Sequence, residues 1–126
     1  MKTHVQEHMR ESLATYTLEK IPAGDRIQCF KLKRKSDAFY FAYVLFTPFG
    51  IVIGGDIRFY PDQTSISSVP GYDADWFGGR LSEDYLLEKF GIHSMRRKGA
   101  KVAAGWLCAL QQKFAELYQA SAAANG

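Results

Sequence analysis

Residues 38–46 read Ala-Phe-Tyr-Phe-Ala-Tyr-Val-Leu-Phe, an apolar run with no charge and no alternation. A run this short, rich in aromatic residues and bounded by turn formers, reads as a strand and not a helix. Successive strand side chains point to opposite faces, so this run puts apolar groups on both. Such a strand is central in its sheet, or it packs a helix on one face and a loop on the other. Lys35-Ser36-Asp37 before it and Thr47-Pro48-Phe49-Gly50 after it are turns. On the far side of the first turn, residues 26–34 alternate, with Phe30 and Leu32 pointing one way and Lys31 and Lys33 the other. Beyond the second, Ile51-Val52-Ile53 makes a third strand and Ile57-Arg58-Phe59-Tyr60 a fourth. Gly54-Gly55 between them allows a tight turn or a bulge. Connections this short demand antiparallel pairing, because a parallel return needs a longer crossover.

Helical spacing flanks the strands. Val5, Met9, Leu13 and Tyr16 predict an amphipathic helix over residues 3–17, with Glu7, Arg10 and Glu11 facing away. Residues 21–25 end it with turn chemistry. Residues 61–80, rich in Pro, Ser, Gly and Asp, form a long loop with room for one helical turn. Ser82 caps a helix over 83–90, Glu83 and Asp84 suit its first turn, and Gly91 stops it. Ser94 caps the last helix, which runs to about residue 119 with a stripe of Ala103, Leu107, Leu110, Phe114 and Leu117. Residues 120–126 are a frayed tail. The stripe predicts Leu107, Leu110 and Phe114 packed near Phe41 and Val52. The expected architecture is one α+β domain over residues 1–126, in the order α-β-β-β-β-α-α. Its antiparallel sheet of about four strands is covered by the N- and C-terminal helices.

Bulk properties narrow the class. Hydrophobic residues at 47% and charged residues at 23% are the balance of an ordinary globular chain. Aromatics at 14% supply the buried area that a short chain needs to close a core. Cys29 and Cys108 lie far apart with no CxxC spacing, which excludes a disulfide framework and a zinc knuckle and predicts buried free thiols. The first ten residues have no apolar core of a signal peptide, and residues 38–46 are too few to span a bilayer. The expectation is a cytoplasmic protein with no membrane partner.

The net charge of +3 is uneven. Residues 1–55 hold eight basic and five acidic side chains (+3), residues 56–88 two and seven (−5), and residues 89–126 six and one (+5). An acidic middle between basic flanks predicts a two-signed surface. Lys31, Lys33, Arg34 and Lys35 end the first strand, and Arg96, Arg97 and Lys98 with Lys101 open the last helix. Brought together, they would make a basic patch for nucleic acid or for an acidic protein. Trp76 and Phe77 stand in the long loop. They are either a contact hot spot or a plug that seals the loop onto the sheet.

Two motifs are weighed and set aside. His4-Val5-Gln6-Glu7-His8 matches the H-x-x-E-H string of inverted zinc peptidases, with two histidines one helical turn apart. It sits at a chain end with no third ligand in prospect, so solvent-facing histidines are the reading. Asp56, Asp62, Asp73, Asp75, Glu83 and Asp84 follow no EF-hand spacing, and Gly54-Gly55 lacks the lysine of a P-loop. The expectation is no cofactor, no metal and no catalytic residue.

Residues 47–56, Thr-Pro-Phe-Gly-Ile-Val-Ile-Gly-Gly-Asp, resemble the PG-x-[IL]-x-I-x-GD strand pair of a loose family of small phage and prophage proteins. In that family a long loop follows, then a Trp and a D-Y-L-x-x-K helix. Trp76 and Asp84-Tyr85-Leu86-Leu87-Glu88-Lys89 stand in those places. The resemblance covers residues 26–91. It implies a non-enzymatic accessory protein of a phage, acting inside a bacterial host. Such a protein would bind and inhibit a host protein or ribonucleoprotein complex, including a bacterial defence component in the manner of anti-CRISPR proteins. The alternatives are a nucleic-acid-binding accessory protein using the basic flanks and a small enzyme using the acidic loop. On the binding reading the contact residues are Trp76, Phe77, Arg96, Arg97, Lys98, Lys101, Lys33, Arg34 and Lys35.

Overall fold

A computed structural model describes residues 4–34, 41–92, 96 and 98–125. In chain order the elements are α1 (His4–Ser12), β1 (Tyr16–Gly24), β2 (Ile27–Arg34), β3 (Ala42–Thr47), β4 (Gly50–Gly55), β5 (Ser65–Ser67), α2 (Ala74–Phe77), α3 (Glu83–Lys89) and α4 (Ala100–Asn125). The strands form one antiparallel sheet in the order β1-β2-β3-β4-β5. The chain is a single α+β domain, as the turn lengths predict. The turn expected at Lys35-Ser36-Asp37 and the cap expected at Ser94 lie outside the described residues. No helix among the described residues is long and apolar enough to cross a membrane.

Register sorts the side chains into two faces. Phe30 pairs with Val44, Val44 with Ile53 and Ile53 with Ile66, so these four share one face. All are buried, and Leu32, Phe46 and Ile51 extend the same surface. Helix α4 lies on it. Phe114 meets Phe30, Phe46 and Phe77 at ring-centroid distances of 5.3, 5.7 and 5.3 Å. The opposite face carries Glu19, Lys31, Lys33, Tyr43, Leu45 and Val52, all half-buried or exposed. Phe41 and Val52 belong to that second face, so the last helix packs on Phe30 and Phe46 and not near Phe41 and Val52. In a run that is apolar throughout, nothing marks which parity points to the helices.

Four element assignments differ from the sequence reading. Residues 16–24 are a strand, not the end of a helix followed by a turn. Tyr16 satisfies both periods: it lies three residues after Leu13, and it alternates with Leu18 along β1. The strand wins because its pairing with β2 supplies the backbone partners. Pro22 is tolerated because β1 is an edge strand whose register shifts between Ile21 and Gly24. Residues 57–60 are not a strand. They bury Ile57, Phe59 and Tyr60 and make one isolated bridge from Tyr60 to Gln63. Gly54 and Gly55 stay inside β4, and the free edge of β4 is taken by Ser65–Ser67 from within the expected loop. Gly55, at φ 149°, packs directly on the carbonyl of Phe41, where any Cβ would collide with backbone. Last, α4 begins at Ala100 and continues to Asn125, so residues 120–125 are helix and not a frayed tail. Their alanine-rich composition favours it.

Cys29 and Cys108 are buried free thiols. Burial raises both pKa values, that of Cys108 to about 12.

Candidate functional site

The loop that carries Trp76 folds around the single turn of α2. Asp73 caps it, its carboxylate accepting from the Trp76 N–H at 2.9 Å. The far end of the turn is bound to α4. Gln111 Nε2 donates to the carbonyls of Phe77 (2.8 Å) and Gly79 (2.9 Å), and Gln119 Nε2 donates to that of Gly78 (2.8 Å). The Tyr118 hydroxyl donates to Asp75 at 2.6 Å. These side chains satisfy carbonyls that a one-turn helix leaves without backbone partners.

The arrangement separates the two aromatic residues of the pair. Phe77 is fully buried, 6.0 Å from Phe46, 5.3 Å from Phe114 and 6.1 Å from Phe90 between ring centroids. It is the plug of the loop and offers nothing to a partner, which corrects its assignment as a contact residue. Trp76 is half-buried at the surface. Its ring lies 4.2 Å from that of Tyr72 and meets Tyr85 edge-on at 6.0 Å. The Tyr72 and Tyr85 hydroxyls are 3.5 Å apart, and Lys89 Nζ stands over both rings at 5.9 and 5.1 Å. The hydroxyl contact lowers the pKa of Tyr72 and raises that of Tyr85, while Tyr72 raises that of Lys89. Ser82 caps α3 through the Tyr85 N–H and holds Tyr85 and Lys89 on one side of that helix. The result is an aromatic knuckle with one cation over it. Sequence reasoning missed Tyr72, Tyr85 and Lys89 as neighbours of Trp76. The signal was present: Tyr72 and Trp76 are four residues apart, as are Tyr85 and Lys89.

The described members of the predicted basic set do not all share one face. Lys33 lies on the open sheet face, 3.9 Å from Glu19. Arg34, next along β2, points to the helix side, since strand neighbours alternate. Arg96 and Lys98 are exposed and precede α4, and do not open it; Lys101 is exposed in its first turn. Arg97 and Lys35 lie outside the described residues. On the open face Lys31 stands out: its Nζ is 4.7 Å from the Phe41 ring and 5.3 Å from the Tyr43 ring.

The acidic residues serve the fold at several positions. Asp73 is a cap, Asp75 receives the Tyr118 hydroxyl, and Glu83 and Asp84 occupy the first turn of α3. In the H-x-x-E-H string, Glu7 and His8 are exposed; the His4 side chain lies outside what is described. Among the described residues no group of three or more His, Cys, Asp or Glu is placed to hold a metal. No family model, curated protein or solved structure matches the chain.

Proposed function

We propose that the chain is a non-enzymatic accessory protein of phage type that binds a host protein or complex, a bacterial defence component among the candidates, and inhibits it by occlusion. The knuckle of Tyr72, Trp76, Tyr85 and Lys89 is the observation that carries this reading. Contact hot spots are large aromatic and cationic groups held rigid before binding, because rigidity removes the entropy cost of ordering them. Caps at both short helices and three α4 side chains give Trp76 that rigidity. Capture from bacterial lysate, run in parallel with wild type and Trp76→Ala, tests it. A protein retained by wild type and lost by the variant is then purified and its dissociation rate measured. Truncation of a hot-spot tryptophan should raise that rate roughly thirty-fold, equivalent to about 2 kcal/mol. Equal dissociation from both proteins removes the knuckle from the interface.

A second reading rests on Lys31 over Phe41 and Tyr43. Half-buried rings with nearby lysines on an open sheet face suit a stacking platform for single-stranded nucleic acid. Titration of binding against salt separates the two, because nucleic-acid affinity falls steeply and linearly on log–log axes. If Asp56→Asn, Asp73→Asn or Asp75→Asn, each folded, abolishes activity while Trp76→Ala leaves it intact, both readings give way to an enzyme.

A further inference from the structure

The outer margin of β1 is an open sheet edge. Two backbone bonds show which of its groups face outward. The Tyr16 N–H donates to the Leu13 carbonyl at 3.0 Å and so points away from β2. Across the sheet the Asp56 N–H donates to the Phe41 carbonyl at 3.0 Å, which extends the β3–β4 ladder by one hydrogen-bonded pair. Residues of an antiparallel strand alternate between facing a neighbour and facing away from it. Carried through the registers of β4, β3, β2 and β1, both bonds give the same phase. Thr17, Glu19 and Ile21 face β2, and the N–H and C=O of Leu18 and Lys20 face outward. Among the described residues no backbone group pairs with these. Beyond them the edge closes, because Pro22 has no N–H and the register shifts before Gly24. Beside the open stretch lies a groove of about 500 Å³ between β1 and the last turns of α4, lined among others by Leu18, Lys20, Phe30, Leu117 and Tyr118. Leu18 pairs with Leu32 and Lys20 with Phe30, so both side chains stand on the helix-covered face, and Glu19 stands on the open one. Leu18, Leu117 and Tyr118 are half-buried, and Lys20 is exposed at the rim.

We propose that this edge takes an extended peptide segment of a partner as an added strand, antiparallel to β1, bound through the N–H and C=O of Leu18 and Lys20. In strand addition the main chain supplies affinity and alternate side chains supply specificity. The residue opposite Leu18 drops an apolar side chain into the groove. The residue opposite Lys20 is acidic, and the one between them, on the open face, is basic and meets Glu19. In chain direction the partner segment therefore reads acidic, basic, apolar. A second copy of β1 fits poorly. Full use of the outward groups requires Leu18 opposite Lys20 of the copy, which sets Glu19 directly against Glu19, a destabilising pair of like charges. Any neighbouring register calls on the Tyr16 N–H, already given to Leu13, or on an N–H that Pro22 lacks. None of Tyr72, Trp76, Tyr85 and Lys89 lines the groove, so the edge does not depend on the reading given to Trp76.

The probe is the peptide acetyl-Ser-Thr-Glu-Lys-Phe-Thr-Ser-amide, added to the isotope-labelled full chain and followed by amide NMR. The expected result is a saturable shift of the Leu18 and Lys20 amides, with hydrogen exchange slowed at both. The same peptide N-methylated at its phenylalanine lacks the donor aimed at the Leu18 carbonyl and should bind roughly tenfold or more weakly. Serine in place of that phenylalanine leaves the groove empty and should weaken binding by roughly tenfold or more. Exchange of the peptide's glutamate and lysine sets like charges opposite both Lys20 and Glu19 and should weaken binding roughly fivefold. All of these changes are made in the peptide, so the fold of the chain is untouched. The proposal is overturned if the parent peptide does not shift the two amides saturably. It is also overturned if the N-methylated peptide binds as tightly as the parent, which would leave only side chains in contact. A free chain that sediments as a dimer with its Leu18 and Lys20 amides already protected would overturn it too, and would assign the edge to a second copy.

Discussion

The two ends of α4 meet the sheet by different chemistry. Toward its C-terminus the helix sets Phe114 into Phe30, Phe46 and Phe77, stacks Tyr118 on Phe114 at 5.4 Å, and reaches the carbonyls of α2 through Gln111 and Gln119. Toward its N-terminus, the half-buried Trp106 shares a cleft with charged groups, and Arg96 and Lys98 stand exposed before the first turn. On the side of α2 one end is filled with rings and closed by hydrogen bonds, and the other end keeps volume and charge. A surface that must present a fixed shape profits from the first arrangement. The Trp76 knuckle rests on the filled end, so its rigidity is inherited from the core.

The largest effect should come from removing the centre of the filled end. Phe114→Ala deletes a fully buried ring touching four others, and the expected loss is about 3–5 kcal/mol in urea melts. Trp106→Ala, at the other end of the helix and only half-buried, should cost clearly less. Equal costs would mean that the two ends contribute alike and that the cleft is as well packed as the core.

Gln111→Leu comes next. Gln111 is one of the few buried polar side chains among the described residues, and both of its hydrogen bonds go to carbonyls at the end of α2. Leucine keeps the volume but leaves the Phe77 and Gly79 carbonyls without these donors, at a cost of about 1–3 kcal/mol. Hydrogen exchange localises the effect. Amides of residues 76–79 should exchange faster in the variant while those of β3 remain protected. A uniform loss of protection would show that α2 has no independent tie to α4.

How legible this fold was depended on whether a residue obeys one period or two. Phe30 and Leu32 alternate against lysines, so β2 and its buried side could be read directly. Ser82 and Gly91 bracket α3 because capping oxygen and left-handed glycine (φ 72°) are local devices, needing no knowledge of the rest of the chain. Tyr16 fits both helix and strand, and only the pairing with β2 decides it. Ser65-Ile66-Ser67 carries one apolar residue, too few for any periodic signal, and becomes a strand because β4 offers an edge. The site was half legible for the same reason. Trp76 was visible as a large ring in a polar loop, whereas the burial of Phe77 beside it follows from the direction α2 leaves the loop, which is set by Gln111 some 30 positions away. Adjacency in the sequence also says nothing of a shared face: Lys33 and Arg34 are neighbours along β2 and lie on opposite sides of the sheet.

The smallest of these effects isolates a single contact between α4 and α2. The Tyr118 hydroxyl donates to Asp75 at 2.6 Å, and this hydrogen bond, followed by burial and the Asp75 charge, pushes the Tyr118 pKa up to about 12 from an ordinary value of 10. The protonated phenol is the form that the fold favours. Its contribution is therefore complete below pH 10 and is lost as the pH rises through 12. Tyr118→Phe keeps the ring stacked on Phe114 and removes only the hydroxyl, so the expected cost near pH 8 is about 1 kcal/mol, reduced by the exposure of the Asp75 side. The difference in urea midpoint between wild type and variant should hold from pH 8 to pH 10 and narrow between pH 10 and pH 12, because there the wild type loses its hydrogen-bond donor while the variant has none to lose. A gap that stays constant over that range would mean that the hydroxyl acts through packing alone. A gap that widens would reverse the sign and place an attractive partner beside the phenolate, with Asp75 turned away from it.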